Sequence, residues 1–265
     1  MPDALPLCAR LPIAIHIEPL LAALARVPAD AWQPHFNTGY FSGDWSGVAL
    51  IAPANAVLEL APGSGEPKPT KVFAGDPAWQ AALNQIDAPI RSARLLRLGP
   101  GAAIREHADF DLAGPDSDLR IHLPLRSHEA VEFLLEGHLV PMRPGECWFL
   151  DLSRPHRVDN PSPHDRIHLV LDCQRSPWLL QAIAAGAPTT PTLGLSRGRR
   201  AFAEFQALIA ADANLADALL AIEEHKQFIE TVVALGQQHG HAFSEEDVQS
   251  VMRQSRQRWQ QQWMA

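Results

Sequence analysis

The sequence predicts a mostly β protein of the jelly-roll or β-sandwich kind, opened by an amphipathic helix and followed by a C-terminal helical extension. Three observations carry this. Short apolar runs recur between residues 93 and 172, each bounded by Gly, Pro, Asp or Asn, as strands of such β architectures are. Ahead of them, apolar residues recur at helical spacing. From about Arg197 onward strand formers thin out, and Ala, Leu, Glu and Gln dominate. Apolar residues make up 46% of the 265 and charged residues 20%, a balance that can bury a core and speaks against disorder.

Taken in order, Ile17, Leu20, Leu21, Leu24 and Val27 share one helical face, and Pro28 ends the pattern. Phe36 to Leu60 holds short aromatic and β-branched runs, among them Trp45 to Ile51. Ala61–Pro69 is a loop by composition, and a short helix is expected around Pro77–Gln85. Strands are expected at Ala93–Leu98, Arg120–Leu125, Val131–Leu135, Cys147–Asp151 and Arg166–Asp172. Beyond Arg197 two or three helices should bury Phe205, Leu208, Leu219, Phe228, Val232 and Leu235. Gly236 and Gly240 mark a helix end there, and Ser244-Glu245-Glu246-Asp247 is a capping box that starts the next helix. The expected domains are therefore 1–195 for the β unit and 196–265 for the helical module.

Composition removes several classes of function. The net charge is −8 with no long run of Lys or Arg, which argues against a nucleic-acid partner. No apolar stretch approaches the ~20 residues that span a bilayer, and the N-terminal segment does not look like an export signal, so no membrane partner and a cytoplasmic location are expected. The three cysteines, Cys8, Cys147 and Cys173, form no C-x-x-C pair. They suit neither a disulfide framework nor a thiolate zinc site.

The residues that carry chemistry begin with Arg105-Glu106-His107-Ala108-Asp109. On an extended backbone His107 and Asp109 emerge on one face. An imidazole and a carboxylate aimed at one point make two-thirds of a 2-His-1-carboxylate iron site, although a surface ion pair would read the same. In Leu150-Asp151-Leu152-Ser153-Arg154-Pro155-His156, a strand-like run ends, a proline stiffens the turn, and His156 follows as a possible third ligand. Arg166-Ile167-His168-Leu169 opens an apolar strand with a guanidinium, and Arg120-Ile121-His122-Leu123 repeats those four residues. A buried arginine needs a partner. A carboxylate ligand gripped at two points is one; Asp109, Asp151 or Asp172 is another. His168 reads as a core histidine.

The segments LLRLGPGAAIREHAD, LRIHLPL, GECWFLDLSRPHRVDN and DRIHLVLD resemble the aspartyl/asparaginyl β-hydroxylase family of Fe(II)/2-oxoglutarate oxygenases. That family includes bacterial hydroxylases of free amino acids such as the L-proline cis-4-hydroxylases. WQPHFNTGYFSGDWSGVALI extends the likeness to roughly residues 30–180. The resemblance implies a cupin-like double-stranded β-helix, with His107, Asp109 and His156 as iron ligands and catalytic centre. It puts Arg166 on the distal carboxylate of 2-oxoglutarate, His122 near its 1-carboxylate, and Arg120 near the substrate. Fe(II), 2-oxoglutarate and O₂ are then the cofactor and co-substrates, and the substrate a free amino acid or an Asp/Asn-type residue of a peptide. The strand Ala93–Leu98 lacks the Ser or Thr that the family's animal members use to hold 2-oxoglutarate. Residues 202–253 resemble Nif-eleven-type leader domains in hydrophobic spacing, which implies peptide or protein docking, whereas a plain structural cap explains the same spacing. The competing functions are a non-catalytic cupin-like binding or sensing protein, and a zinc hydrolase on the same ligands, for which no general-base glutamate is evident.

Overall fold

The computed structural model describes residues 5–56, 60–61 and 65–263. Among them the strands are β1 (Cys8–Arg10), β2 (Gln33–Pro34), β3 (Phe41–Ser42), β4 (Trp45–Pro53), β5 (Pro67–Pro69), β6 (Ile90–Leu98) and β7 (Ala103–His107). They continue with β8 (Leu119–Arg126), β9 (Glu132–Leu135), β10 (His138–Leu139), β11 (Trp148–Leu150), β12 (His156–Asp159), β13 (Arg166–Cys173) and β14 (Gly194–Leu195). The helices are α1 (Ile17–Ala25), α2 (Lys71–Ala74), α3 (Pro77–Leu83), α4 (Pro177–Gly186), α5 (Arg197–Ala211), α6 (Ala213–Leu220), α7 (His225–Gln238) and α8 (Glu245–Gln262). No helix among the described residues is long and apolar enough to cross a membrane. The chain divides into two compact units, Met1–Leu135 with Val140–Thr192, and Glu136–Leu139 with Leu193–Ala265.

In the first unit the larger sheet runs β1-β11-β8-β13-β6-β4-β2, with β5 on the edge of β4. The smaller sheet runs β9-β12-β7-β3. From β6 to β9, and again from β11 to β13, successive strands alternate between the two sheets, and every pairing is antiparallel. This is the double-stranded β-helix. Side chains alternate along the large-sheet strands. Ile167, Leu169, Leu171 and Cys173 of β13, Leu119, Ile121, Leu123 and Leu125 of β8, and Ala93 and Leu95 of β6 join one buried cluster. Leu20 and Leu24 of α1, Trp79 and Leu83 of α3, and Leu179 and Ile183 of α4 pack into that cluster. The alternate residues of the same strands, Arg94, Arg120, His122, Arg166 and Val170, line a cavity between the sheets. Hydrophobic burial on one face thus presents polar residues on the other.

Several expectations need correction. Residues 57–59 of the predicted aromatic and β-branched stretch and 62–64 of the predicted loop lie outside the described residues, and the loop's end, Pro67–Pro69, is a strand. Residues bonded by their backbone to β4 are extended whatever their composition. The strand read as Ala93–Leu98 starts at Ile90 and so contains a hydroxyl, that of Ser92.

Among the described residues the second unit holds four helices, one more than the upper expectation, and β10 pairs with β14. Its core is Phe202, Phe205, Leu219, Ile229, Val232, Phe243 and Val248, with Leu208, Phe228 and Leu235 packed against it. The capping box is present: Ser244 Oγ accepts from the Asp247 N–H at 3.2 Å, and Asp247 Oδ2 accepts from the Ser244 N–H at 3.0 Å. Gly240, at φ +83°, follows the end of α7 as expected of a residue that must turn left-handed. Gly236 does not mark the end. It lies inside α7, where a Cβ would come within 2.3 Å of the Phe243 ring.

Candidate active site

Strand β12 runs antiparallel to β7 in a register that sets His156 opposite His107, with ring centroids 4.3 Å apart. Asp109 lies just past β7 with extended backbone (φ −87°, ψ 91°), and its N–H donates to the Leu152 carbonyl at 2.8 Å. The sequence segment carrying Asp109 is thereby tied to the turn that leads into His156. One ligand atom from each of His107, Asp109 and His156 lies within 4.8 Å of the others. His107 Nε2 is 3.6 Å from Asp109 Oδ1, and His156 Nε2 is 4.0 Å from Asp109 Oδ2.

Both imidazoles are oriented by backbone. Nδ1 of His107 lies 2.8 Å from the Arg105 carbonyl, and Nδ1 of His156 lies 3.0 Å from the Arg154 carbonyl. A carbonyl only accepts, so each Nδ1 carries a proton and Nε2 is the ring nitrogen left to face a cation. His156 is buried. Burial and neighbouring His107 lower its pKa to about 4 against the opposing pull of Asp109, which keeps the ring neutral at physiological pH.

Arg166 is buried at the start of β13, with its guanidinium 5.6 Å above the Phe133 ring. Its Nη2 donates to His168 Nδ1 at 2.9 Å, while its Nε is buried with no hydrogen-bond partner. No ion pair is recorded for it among the described residues, and burial pulls its pKa down to about 9, still protonated near neutrality. His122 on β8 is buried with Nδ1 3.3 Å from His168 Nδ1 and Nε2 unpartnered. Burial, then the charge of Arg166, holds it well below its ordinary pKa. His168 is the buried histidine its sequence context suggested, bridging Arg166 and His122.

Arg120 is differently placed. Its Nη1 donates to Asp109 Oδ2, and its Nε donates to Asp172 Oδ1 at 2.7 Å. The carboxylate pairing left open by the sequence is present, and among the described residues its Nη2 has no partner.

All six residues singled out from the sequence line one cavity of about 390 Å³. The sequence reading missed His35, Tyr40 and Arg94 on its wall. His35 stacks on Trp45, centroids 3.4 Å apart and planes 9° apart, and its Nδ1 accepts from the Asn37 N–H at 3.3 Å. Burial first, then nearby Arg94, lowers its pKa to about 3. The Tyr40 ring lies 5.3 Å from that of His107. The signal available was a His and an Asn within the aromatic run Trp32–Trp45.

Residues 32–176 match the family profile described as aspartyl/asparaginyl β-hydroxylase. Over 83 residues the chain is 32% identical to an L-proline cis-4-hydroxylase of Rhizobium meliloti (strain 1021). That alignment takes in 31% of this chain and 29% of the relative, so the chain spans under a third of the curated relative's length. Among solved structures it is similar to a 2OG-Fe(II) oxygenase family oxidoreductase from Burkholderia pseudomallei, at 18% identity and TM-score 0.39 over 59% of this chain and 77% of that one. It is also similar to a Pseudomonas putida prolyl-4-hydroxylase, at 18% identity and TM-score 0.37 over 64% and 92%.

Proposed function

The chain belongs to the aspartyl/asparaginyl β-hydroxylase family, and from that premise we propose that it is an Fe(II)- and 2-oxoglutarate-dependent hydroxylase. The single observation that carries this is a pairing in one cavity: a His107–Asp109–His156 cluster of cation-ligand spacing, and a buried guanidinium with no carboxylate against it. Two neutral imidazoles and one carboxylate hold Fe(II) while leaving positions for other ligands, so the donor set fits the metal. A buried, unpaired cation is costly, and a dicarboxylate such as 2-oxoglutarate relieves that cost. Bound Fe(II) with O₂ supplies C–H oxidation, coupled to conversion of 2-oxoglutarate to succinate and CO₂.

The chain's own residues do the rest. Nε2 of His107, Nε2 of His156 and a carboxylate oxygen of Asp109 hold the metal. Arg166 grips the distal carboxylate of 2-oxoglutarate at two points, and His122 lies towards the other end of that co-substrate. Phe133, between Arg166 and His156, keeps that part of the cavity dry. Arg120 offers Nη2 to a carboxylate of the substrate, which is a free amino acid or an Asp/Asn-type peptidyl residue.

The test is anaerobic reconstitution with Fe(II) and 2-oxoglutarate, then admission of O₂ and a succinate assay against pooled free amino acids and Asp- or Asn-containing peptides. Substrate-dependent succinate supports the reading. Tight binding of both with no succinate from any pool would instead make this a binding or sensing protein.

A further inference from the structure

Asp172 lies outside the metal cluster, yet it is the centre of a buried chain of alternating charge. The registers of β13 with β8 and with β6 set Asp172 beside Arg120 on one side and Ser92 on the other. Its Oδ1 accepts from Arg120 Nε at 2.7 Å; its Oδ2 accepts from Ser92 Oγ at 2.8 Å and from Arg94 Nη2. Arg94 is anchored in turn by Nη1 on the Leu60 carbonyl at 3.0 Å. Arg120 reaches the other way, to Asp109 Oδ2. The sequence of partners is therefore Arg94, Asp172, Arg120, Asp109, and both ends of Asp172 are occupied.

We infer that Asp172 is a positioning residue: by fixing Arg120 it fixes the Asp109 carboxylate, engaging Oδ2 and so setting how that carboxylate faces His107 and His156. This rests on the metal centre proposed above. Arg120 is long, and with Asp109 as its only partner it would be free to swing with that side chain. Pinned at Nε by a carboxylate that is itself held by two further donors, it has one place to go. Burial alone would raise the Asp172 pKa, but Arg120 and Arg94 hold it well below the usual carboxylate range, so the anchor stays charged. Groups behind a ligand tune metal affinity on the order of ten- to a hundred-fold.

The probe is Co(II), titrated anaerobically into the full chain, read by affinity and by its visible d–d absorption bands. Wild type should bind one Co(II) that His107→Ala loses. Asp172→Asn should bind it about ten- to a hundred-fold more weakly with shifted bands, since a neutral amide holds Arg120 poorly. Ser92→Ala removes one uncharged donor from the Asp172 carboxylate, leaves both arginine pairings in place and should weaken Co(II) by about three-fold. A role confined to holding strands together would lower the thermal midpoint and leave affinity and bands as in wild type. That result in folded Asp172→Asn, or in Ser92→Ala where Asp172→Asn does not fold, overturns the inference. Wild type that binds no Co(II) at the cluster overturns the metal centre instead, so the two failures are distinct.

Discussion

His107 and His156 each hold their Nδ1 proton on a carbonyl two residues earlier, so the atom offered to a cation is decided by local backbone. Removing such a ligand takes away little core. His107→Ala, Asp109→Ala and His156→Ala should each lose Fe(II) binding while keeping the wild-type circular dichroism spectrum. Asp109→Ala should be the least stable of the three, because Arg120 then keeps only Asp172 as an anionic partner. Wild-type Fe(II) affinity in any two would remove the assignment. Arg166 makes a different expectation. In Arg166→Lys an ammonium replaces a two-point fork, at a cost of about 1.5–3 kcal/mol for a charge-assisted bond. The 2-oxoglutarate dissociation constant should rise about ten- to a hundred-fold, with Fe(II) affinity unchanged, as calorimetric titration of each ligand would read. A change in substrate affinity alone would hand Arg166 to the substrate.

Strand β13 serves two purposes by its period of two. Leu169, fully buried, lies in the apolar cluster with α1, α3 and α4, while Arg166, His168 and Asp172 belong to the opposite face. Leu169→Ala should cost about 2–5 kcal/mol of stability, the transfer term plus the cavity left behind, measured by urea unfolding. Its Fe(II) affinity should match wild type below the unfolding transition, because the deleted atoms are on the face away from the cavity. A selective loss of Fe(II) binding without loss of stability would show that the two faces are not separate in function.

Across the whole molecule, buried neutral histidines tie stability to pH. Burial, then Arg166, holds His122 and His168 well below their ordinary pKa. The unfolded chain takes up those protons near pH 6.5. Below about 6.5 the unfolded state therefore binds more protons, and stability falls as pH drops; above pH 7 these groups add no slope. Each contributes about 1.4 kcal/mol per pH unit. Urea unfolding from pH 7.5 to 5 should show the decline, and His168→Gln should flatten it by one proton's worth; an unchanged slope would discount the buried pair. At the same scale the helical unit carries exposed Leu220, Trp259 and Trp263, 82%, 60% and 76% accessible. We propose it as a docking module for a larger substrate. Deleting Leu193–Ala265 should leave Fe(II) and 2-oxoglutarate binding intact while lowering turnover of peptide substrates. A truncated chain that is insoluble or blind to iron makes the helices a structural cap.

The sequence by itself determined much of this protein. Turn residues punctuating apolar runs gave the β class, because strand ends need backbone that turns. The H-x-D spacing, the later His156 and the two Arg-Ile-His-Leu repeats pointed to the six candidate residues that line one cavity, because ligand and ion-pair chemistry is confined to few residue types. The composition change from about Arg197 pointed to the helical end, although not to the Glu136–Leu139 segment that belongs with it. Only tertiary structure decided the rest. The sequence did not single out His35, Tyr40 or Arg94, whose places depend on strand register and on which sheet a chain returns to. The same holds for Gly236, whose missing side chain is explained by the Phe243 ring against it. Whether Arg120 met an acid of the chain or a ligand was likewise undecidable from spacing. A guanidinium takes whichever carboxylate the fold brings within reach, and only the pairing of β8 with β13 brings Asp172 there.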